Sequence, residues 1–177
     1  MSAIGSTDLI EGVITVRAAT REDMSAIDRV LAESYCRLLK TDYRPSTIVM
    51  AVPIIARANP VLVRSGTYYV AEAGSHGIVG AGGWMPSQRV PGAAEIRHFV
   101  TDHRHLRRGI ARRLMQEVVR QASFAGIRRL DCLATRNGAA FYKAQGFSSR
   151  SEVTMMLGPA VEFPVVPMRK DLQVKAT

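Results

Sequence analysis

Apolar positions recur along this chain with two different periods. Met24, Ile27, Leu31, Tyr35 and Leu38 are spaced by three and four, which predicts a helix with one apolar stripe lying on a sheet. Thr20, with Asp23 three positions later, reads as an acidic capping box ahead of it. Leu114, Met115, Val118 and Ala122 repeat the helical period after Ile110, and Gly126 is placed to end that second helix. Short β-rich runs predict strands at residues 13–17, 68–72, 78–85, 94–101, 130–134 and roughly 153–157. The turn at 74–77 makes a hairpin of the second and third. In the fourth, alternation places Glu95, Arg97 and Phe99 on one face and Ile96, His98 and Val100 on the other, a pattern that a bulge would break.

The remaining segments are less regular. Pro45, Pro53 and Pro60 interrupt residues 40–67, which predicts short helices or a mobile cover rather than one long helix. Residues 139–145 read as a short helix stopped by Gly146, and the run 165–168 as another strand or a packed tail. The order is strand-helix, antiparallel strands, then strand-helix-strand-helix-strand. That predicts an α/β fold in which helices flank a central mixed sheet. The 177 residues suit a single domain over 13–177, with a loose arm at 1–12.

Composition narrows the picture only slightly. A hydrophobic fraction of 47% and a charged fraction of 22% are ordinary for a globular protein. No basic run followed by an apolar stretch marks the amino end, and no apolar run is long enough to span a bilayer, so the expectation is a cytoplasmic protein without a membrane partner. Cys36 and Cys132 read as a helical and a strand core cysteine, with no metal-ligand spacing and no disulfide framework. His103 and His105 are no metal site on their own, so no metal is expected.

The net charge of +9 is more informative, because nine arginines fall between Arg97 and Arg129. Such a field favours a polyphosphate ligand, although nucleic acid would suit it as well. The local sequence sharpens this. Leu106-Arg107-Arg108-Gly109-Ile110-Ala111 follows a strand and opens a helix. A helix start offers free backbone N–H groups and a partial positive field. Gly109 lets the backbone approach a ligand closely, Ala111 is small, and Arg107, Arg108 and Arg112 supply cations. These residues are the candidate pyrophosphate site. The P-loop and dinucleotide patterns are absent, and residues 80–83 read as a strand making close packing or ligand contact.

A second segment, Asn137-Gly138-Ala139-Ala140-Phe141-Tyr142-Lys143-Ala144-Gln145-Gly146-Phe147, lies about one strand further on. With it, the chain from about Val13 to Leu157 resembles the GCN5-related N-acetyltransferase (GNAT) superfamily. Gly109-Ile110-Ala111 matches the second half of the family's carrier motif, with Leu106 where Arg or Gln is usual and His103 where proline is frequent. Asn137, Ala140, Phe141, Tyr142, Gly146 and Phe147 match its later motif.

The resemblance implies the acyl-CoA N-acyltransferase fold, with the strands around 94–101 and 130–134 splayed and the pantetheine arm in the gap. It implies acetyl-CoA as donor and a small-molecule or protein amine as acceptor, by direct attack. Asn137, Ala140 and Tyr142 join the carrier site on this basis. Tyr142 is the first choice of general acid near the leaving sulfur, Glu95 the leading base through water, and His98 the runner-up. A backbone N–H near Phe99 or Val100 would polarise the thioester carbonyl. Residues 35–67 would shape the acceptor pocket, and exposed sheet edges are compatible with a homodimer. Two other readings stand beside this one: an inactive acetyl-CoA-binding regulatory or interaction module, and a basic nucleic-acid-binding domain. The second has no zinc finger or aromatic stacking platform behind it.

Overall fold

The computed structural model describes residues 13–173; the expected arm at 1–12 lies outside the described residues. Thirteen regular elements follow in order: β1 Ile14–Ala18, α1 Met24–Leu38, α2 Pro45–Ile55, α3 Pro60–Arg64, β2 Tyr68–Ala73, β3 Ile78–Pro86, β4 Ala93–Thr101, α4 Ile110–Phe124, β5 Arg129–Ala134, α5 Ala139–Ala144, β6 Ser148–Ser149, β7 Val153–Leu157 and β8 Val161–Asp171. Short 3-10 turns join several of them.

The strands form one mixed sheet in the order β1-β2-β3-β4-β5-β8-β6, with β7 also paired to β8. All these pairs are antiparallel except β4 with β5, which is parallel and joined by the crossover helix α4. One core lies under α1, α2 and α3 and includes Ile27, Leu31, Leu62, Tyr68, Val100 and Phe163. The other lies under α4 and α5 and includes Tyr69, Ile96, Leu114, Met115, Leu130 and Tyr142. The mixed α/β architecture with helices flanking a sheet is the one the sequence pattern predicts.

Local chemistry explains the helix ends. Asp23 accepts the Thr20 backbone N–H at 2.7 Å and also pairs with Arg17 at 2.8 Å, so the predicted cap is tied to β1. At the end of α4, the Ile127 N–H reaches the Ala122 carbonyl at 2.9 Å and the Gly126 N–H reaches Ser123 at 3.1 Å. Gly126 takes φ +78°, which its lack of a Cβ permits. Pro45 and Pro60 do not interrupt helices; they begin α2 and α3, where a missing N–H costs nothing. Pro53 sits inside α2, whose last turn continues past it to Ile55.

Residues 165–168, expected as another strand or a packed tail, belong to a single long strand whose two halves pair with different neighbours. Two other sequence expectations change. Cys36 is exposed on α1 and is not a core residue; only Cys132 is buried. Most consequentially, β4 does not alternate. Ala81 of β3 pairs with Val100 and Gly83 with Arg97, so two steps on β3 span three on β4. The extra residue is absorbed where His98 adopts φ +47°. Ile96 therefore joins the core under α4, and Val100 joins the core under α1. Phe99, expected opposite Ile96, packs on the same side as Ile96.

Candidate functional site

The parallel pair β4 and β5 makes only three partnerships, from Ala93 with Arg129 to Glu95 with Asp131. Beyond Glu95 the two strands part. The bulge at His98 turns β4 away, while β5 stays paired to β8 as far as Ala134. A cleft of about 730 Å³ opens between them. It is lined by His98, Phe99 and Val100 from β4, Cys132, Leu133 and Ala134 from β5, the start of α4, the Asn137–Tyr142 turn and helix, and Tyr35 and Leu38 from α1.

At one end of the cleft, the loop before α4 is held in place by a set of side-chain contacts. Asp102 is buried and accepts the Arg104 backbone N–H at 2.9 Å and the Arg104 guanidinium at 2.8 Å. Burial opposes its charge, but the Arg104 bonds outweigh it and hold the carboxyl at about 2. The His103 N–H meets Ser34 Oγ at 3.2 Å, which ties this loop to α1. Arg107 and Gly109 then take φ +61° and +77°. Positive φ is costly for arginine, so the loop holds a shape its own residues disfavour. The first bond closing the helix runs from Arg113 N–H to Gly109 O at 3.0 Å. The amides of Ile110, Ala111 and Arg112 precede it and have no carbonyl within the helix to reach. Around Gly109, a Cβ would meet nothing within 4 Å, so the approach is open.

The cations sort themselves in a telling way. Arg97, Arg104, Arg120 and Arg129 each pair with a carboxylate. Arg107, Arg108 and Arg112 have no carboxylate partner among the described residues, and Arg108 instead approaches His105 Nδ1 at 3.4 Å. Arg113 and Arg128 likewise have no carboxylate partner among the described residues, but only Arg107 and Arg112 line the cleft, so these two bring unpaired positive charge to its mouth.

Deeper in, Tyr142 is 8% exposed and packed among Phe99, Phe141 and Phe147, with ring centroids 6.1, 5.3 and 5.3 Å away. Burial pushes its phenol well above 10. Cys132 lines the same cleft, and burial lifts its thiol to about 12. As a nucleophile Cys132 is disarmed, because its thiolate is the form that burial penalises.

His98 lines the cleft with Nδ1 buried and unpartnered, and burial, then Arg97, lowers its pKa below 6.5. The imidazole is therefore neutral at pH 7. The hydroxyl of buried Tyr68 donates to the His98 carbonyl at 2.9 Å, pinning the bulge. Glu95 is not among the cleft residues; it faces solvent, ion-paired with Arg97. Of the sequence-derived site residues, Tyr142, His98, Phe99, Val100, Arg107, Gly109, Ile110, Ala111, Arg112, Asn137 and Ala140 meet around one cleft, whereas Glu95 and Arg108 stand outside its walls.

As a site residue, sequence reasoning named Tyr35 only as one end of the segment expected to shape the acceptor pocket, and it missed Tyr68. Tyr35 occupies a position of the apolar stripe of α1 and carries a hydroxyl that burial drives to about 12. A polar tip on an otherwise aliphatic stripe was the available signal. Nothing in the pattern of β2 distinguished Tyr68 from a core aromatic.

The glycine-rich run in β3 packs rather than binds. A Cβ on Gly80 would meet Ile110 and Leu114 of α4 at 2.9 and 3.0 Å, one on Gly82 would enter the Phe99 ring, and one on Gly83 would strike the Tyr68 Cα at 2.6 Å. Among the described residues no three potential metal ligands come together, and no helix is long and apolar enough to cross a membrane.

Comparison with known proteins agrees with this geometry. Residues 64–149 match the acetyltransferase (GNAT) domain. A GCN5-related N-acetyltransferase from Rhodopseudomonas palustris superposes with a TM-score of 0.72 at 16% identity, covering 93% of this chain and 99% of that one. The PaiA N-acetyltransferase of Thermoplasma acidophilum, solved with coenzyme A, gives 0.68 at 17% identity over 90% and 99%. A phosphinothricin acetyltransferase from Sinorhizobium meliloti, solved with acetyl-CoA, gives 0.65 at 16% identity over 90% and 88%. At these identities the likeness is one of fold. No curated protein sequence matches the chain.

Proposed function

We propose that this chain, a member of the GNAT superfamily, transfers the acetyl group of acetyl-CoA to an amine by direct attack. The observation that carries the reading is the parting of β4 from β5 after three partnerships, with the free amides and unpaired arginines of the α4 start at the mouth and Tyr142 within. The residues suit the donor. The amides of Ile110, Ala111 and Arg112, with Arg107 and Arg112, would hold a pyrophosphate. The unpaired inner edges of β4 and β5 would receive the amides of the pantetheine arm, and backbone N–H groups near Phe99 and Val100 would polarise the thioester carbonyl.

In the reaction the amine nitrogen attacks the carbonyl carbon, forming the C–N bond as the C–S bond breaks. The nitrogen gives up a proton and the sulfur takes one. Tyr142 is the proton donor to sulfur, since burial keeps its phenol protonated. His98 is the proposed acceptor of the amine proton. It lines the cleft in the neutral form, whereas Glu95 would need a water chain from outside the wall and is held by Arg97.

Two measurements test this. Calorimetric titration with acetyl-CoA should show saturable binding, and absence of binding by the folded protein would refute the donor site. Tyr142→Phe should lower kcat by about 10²-fold or more with acetyl-CoA binding retained. Near-normal turnover would remove Tyr142 as the acid. Saturable binding with no turnover of any amine by the wild type would favour the inactive carrier-binding module instead.

A further inference from the structure

The walls of the cleft on the α1 side say something about the acceptor. The α4 start, with its arginines, lies on one face of the sheet, and α1 covers the other. From that second face the cleft is lined by Tyr35 and Leu38 of α1, with His98 of β4 and Leu133 of β5 beside them. These groups are phenolic, aliphatic and imidazole. No carboxylate is among the residues that line the cleft. Of those nearby along the chain, Glu33 pairs with Arg104 at 3.2 Å, Glu95 with Arg97, Asp102 with Arg104 at 2.8 Å and Asp131 with Arg129 at 2.8 Å, while Asp42, just beyond α1, has no ion-pair partner among the described residues. Glu152, by the turn that follows β5, is held by Arg136 at 2.6 Å.

An ammonium group entering such a site leaves water without gaining a counter-charge, which is costly. It must also lose a proton before attack, and the base at hand is a weak one. His98 shares the lining of the cleft with Tyr35 from α1, Tyr142 from α5 and Cys132 from β5; its carbonyl accepts from Tyr68, and Arg97 precedes it in the chain. Each of these groups is neutral or positive at pH 7, so each favours uncharged imidazole and none strengthens it as a base.

We infer that the acceptor is a weakly basic amine of the α-amino kind, free or at the end of a peptide, and that strongly basic alkylamines such as a lysine side chain or a polyamine are poor substrates. The inference rests on the acetyl-transfer reading above and names the substrate class of that site. The selectivity follows from populations. At pH 7 an amine with a pKa of about 8 is roughly 9% neutral, whereas one of about 10.4 is roughly 0.04% neutral, a ratio of about 200. A site that binds only the neutral form inherits that ratio. A site with a carboxylate to seat the ammonium would not.

The test uses two acceptors on one skeleton, phenylalaninamide and phenethylamine, whose amines differ in basicity. Acetylation is followed by release of CoA thiol between pH 7 and pH 9. The expected kcat/KM ratio favours phenylalaninamide by well over tenfold at pH 7. It shrinks by about tenfold by pH 9, as the stronger base begins to be neutral. Leu38→Glu, which places a carboxylate on the α1 wall, should narrow the pH 7 ratio by lowering KM for phenethylamine. A ratio at or below one at pH 7, or one that is constant with pH, overturns the inference. So does acetyl-CoA binding with neither amine acetylated, which leaves the donor site standing. Failure to bind acetyl-CoA at all overturns the function together with the inference.

Discussion

Gly82→Ala is the change that most directly joins the packing of this fold to its cleft. A Cβ at Gly82 would lie 2.8 Å from Phe99 Cε2 and 2.9 Å from Phe99 Cγ, and closer still to Cδ2. Carbon atoms rest at about 3.5–4.0 Å, so the ring would have to retreat by about 0.7 Å or more. It has little room to do so. Phe99 is stacked on Phe141 at 5.6 Å between centroids and tilted against Tyr142 at 6.1 Å. Overpacking of this kind costs about 1–3 kcal/mol, which for a chain of this size lowers Tm by roughly 2–10 °C. The displaced ring also pushes on Tyr142, so kcat should fall more than acetyl-CoA affinity does. Urea and thermal unfolding measure the first effect, and steady-state rates beside calorimetric titration measure the second. Unchanged stability with weakened acetyl-CoA binding would refute the reasoning, because it would mean that the glycine makes room for a ligand and not for a ring. Gly83→Ala should be harsher, since its Cβ would lie 2.6 Å from the Tyr68 Cα, and backbone cannot swing aside as a side chain can.

Other expectations follow from single contacts. Maleimide labelling of the native protein should modify exposed Cys36 and spare Cys132, whose thiol burial has lifted to about 12, and mass spectrometry should find the second adduct only after unfolding; prompt double labelling would contradict the burial. Asp23 sits at about 2, below its ordinary 3.8, chiefly through the Arg17 hydrogen bond. A depressed carboxyl adds stability that is full above pH 4 and is lost as pH falls through 2. Because the Arg17 side chain is 40% exposed, the share is trimmed to about 1–2 kcal/mol, and Asp23→Asn should lose that much at pH 7 while flattening the acid limb of the stability profile. Tyr68→Phe removes the hydroxyl that holds the His98 carbonyl at 2.9 Å. It should cost about 1 kcal/mol of stability and shift the pH dependence of kcat/KM, and a stability loss with an unaltered pH profile would make Tyr68 a packing residue only.

The elements of this fold were legible because each obeys a local rule. The stripes of α1 and α4 follow the helical period, Gly126 closes α4 by a pattern of two hydrogen bonds, and Thr20 with Asp23 opens the turn into α1. The helix start at one end of the cleft was legible for the same reason, since Arg107-Arg108-Gly109 leads directly into α4 and leaves its first amides without partners in the helix. What the pattern could not show is decided between elements. Nothing in Glu95-Ile96-Arg97-His98-Phe99-Val100 announces that β4 takes one more residue than β3 over the same span. That residue is His98, neither glycine nor asparagine, at a positive φ held by the hydroxyl of Tyr68, thirty residues away. The bulge moves Phe99 and Val100 to faces opposite from those alternation assigns, and Phe99 thereby reaches Tyr142. It also brings His98 to the cleft wall while Glu95 stays outside, which is why His98 is proposed as the base ahead of the residue the sequence ranked first. The same bend parts β4 from β5 and makes the cleft. One strained residue thus lies where the two strands part and is also the base proposed for the reaction, so the two roles can be tested at a single position.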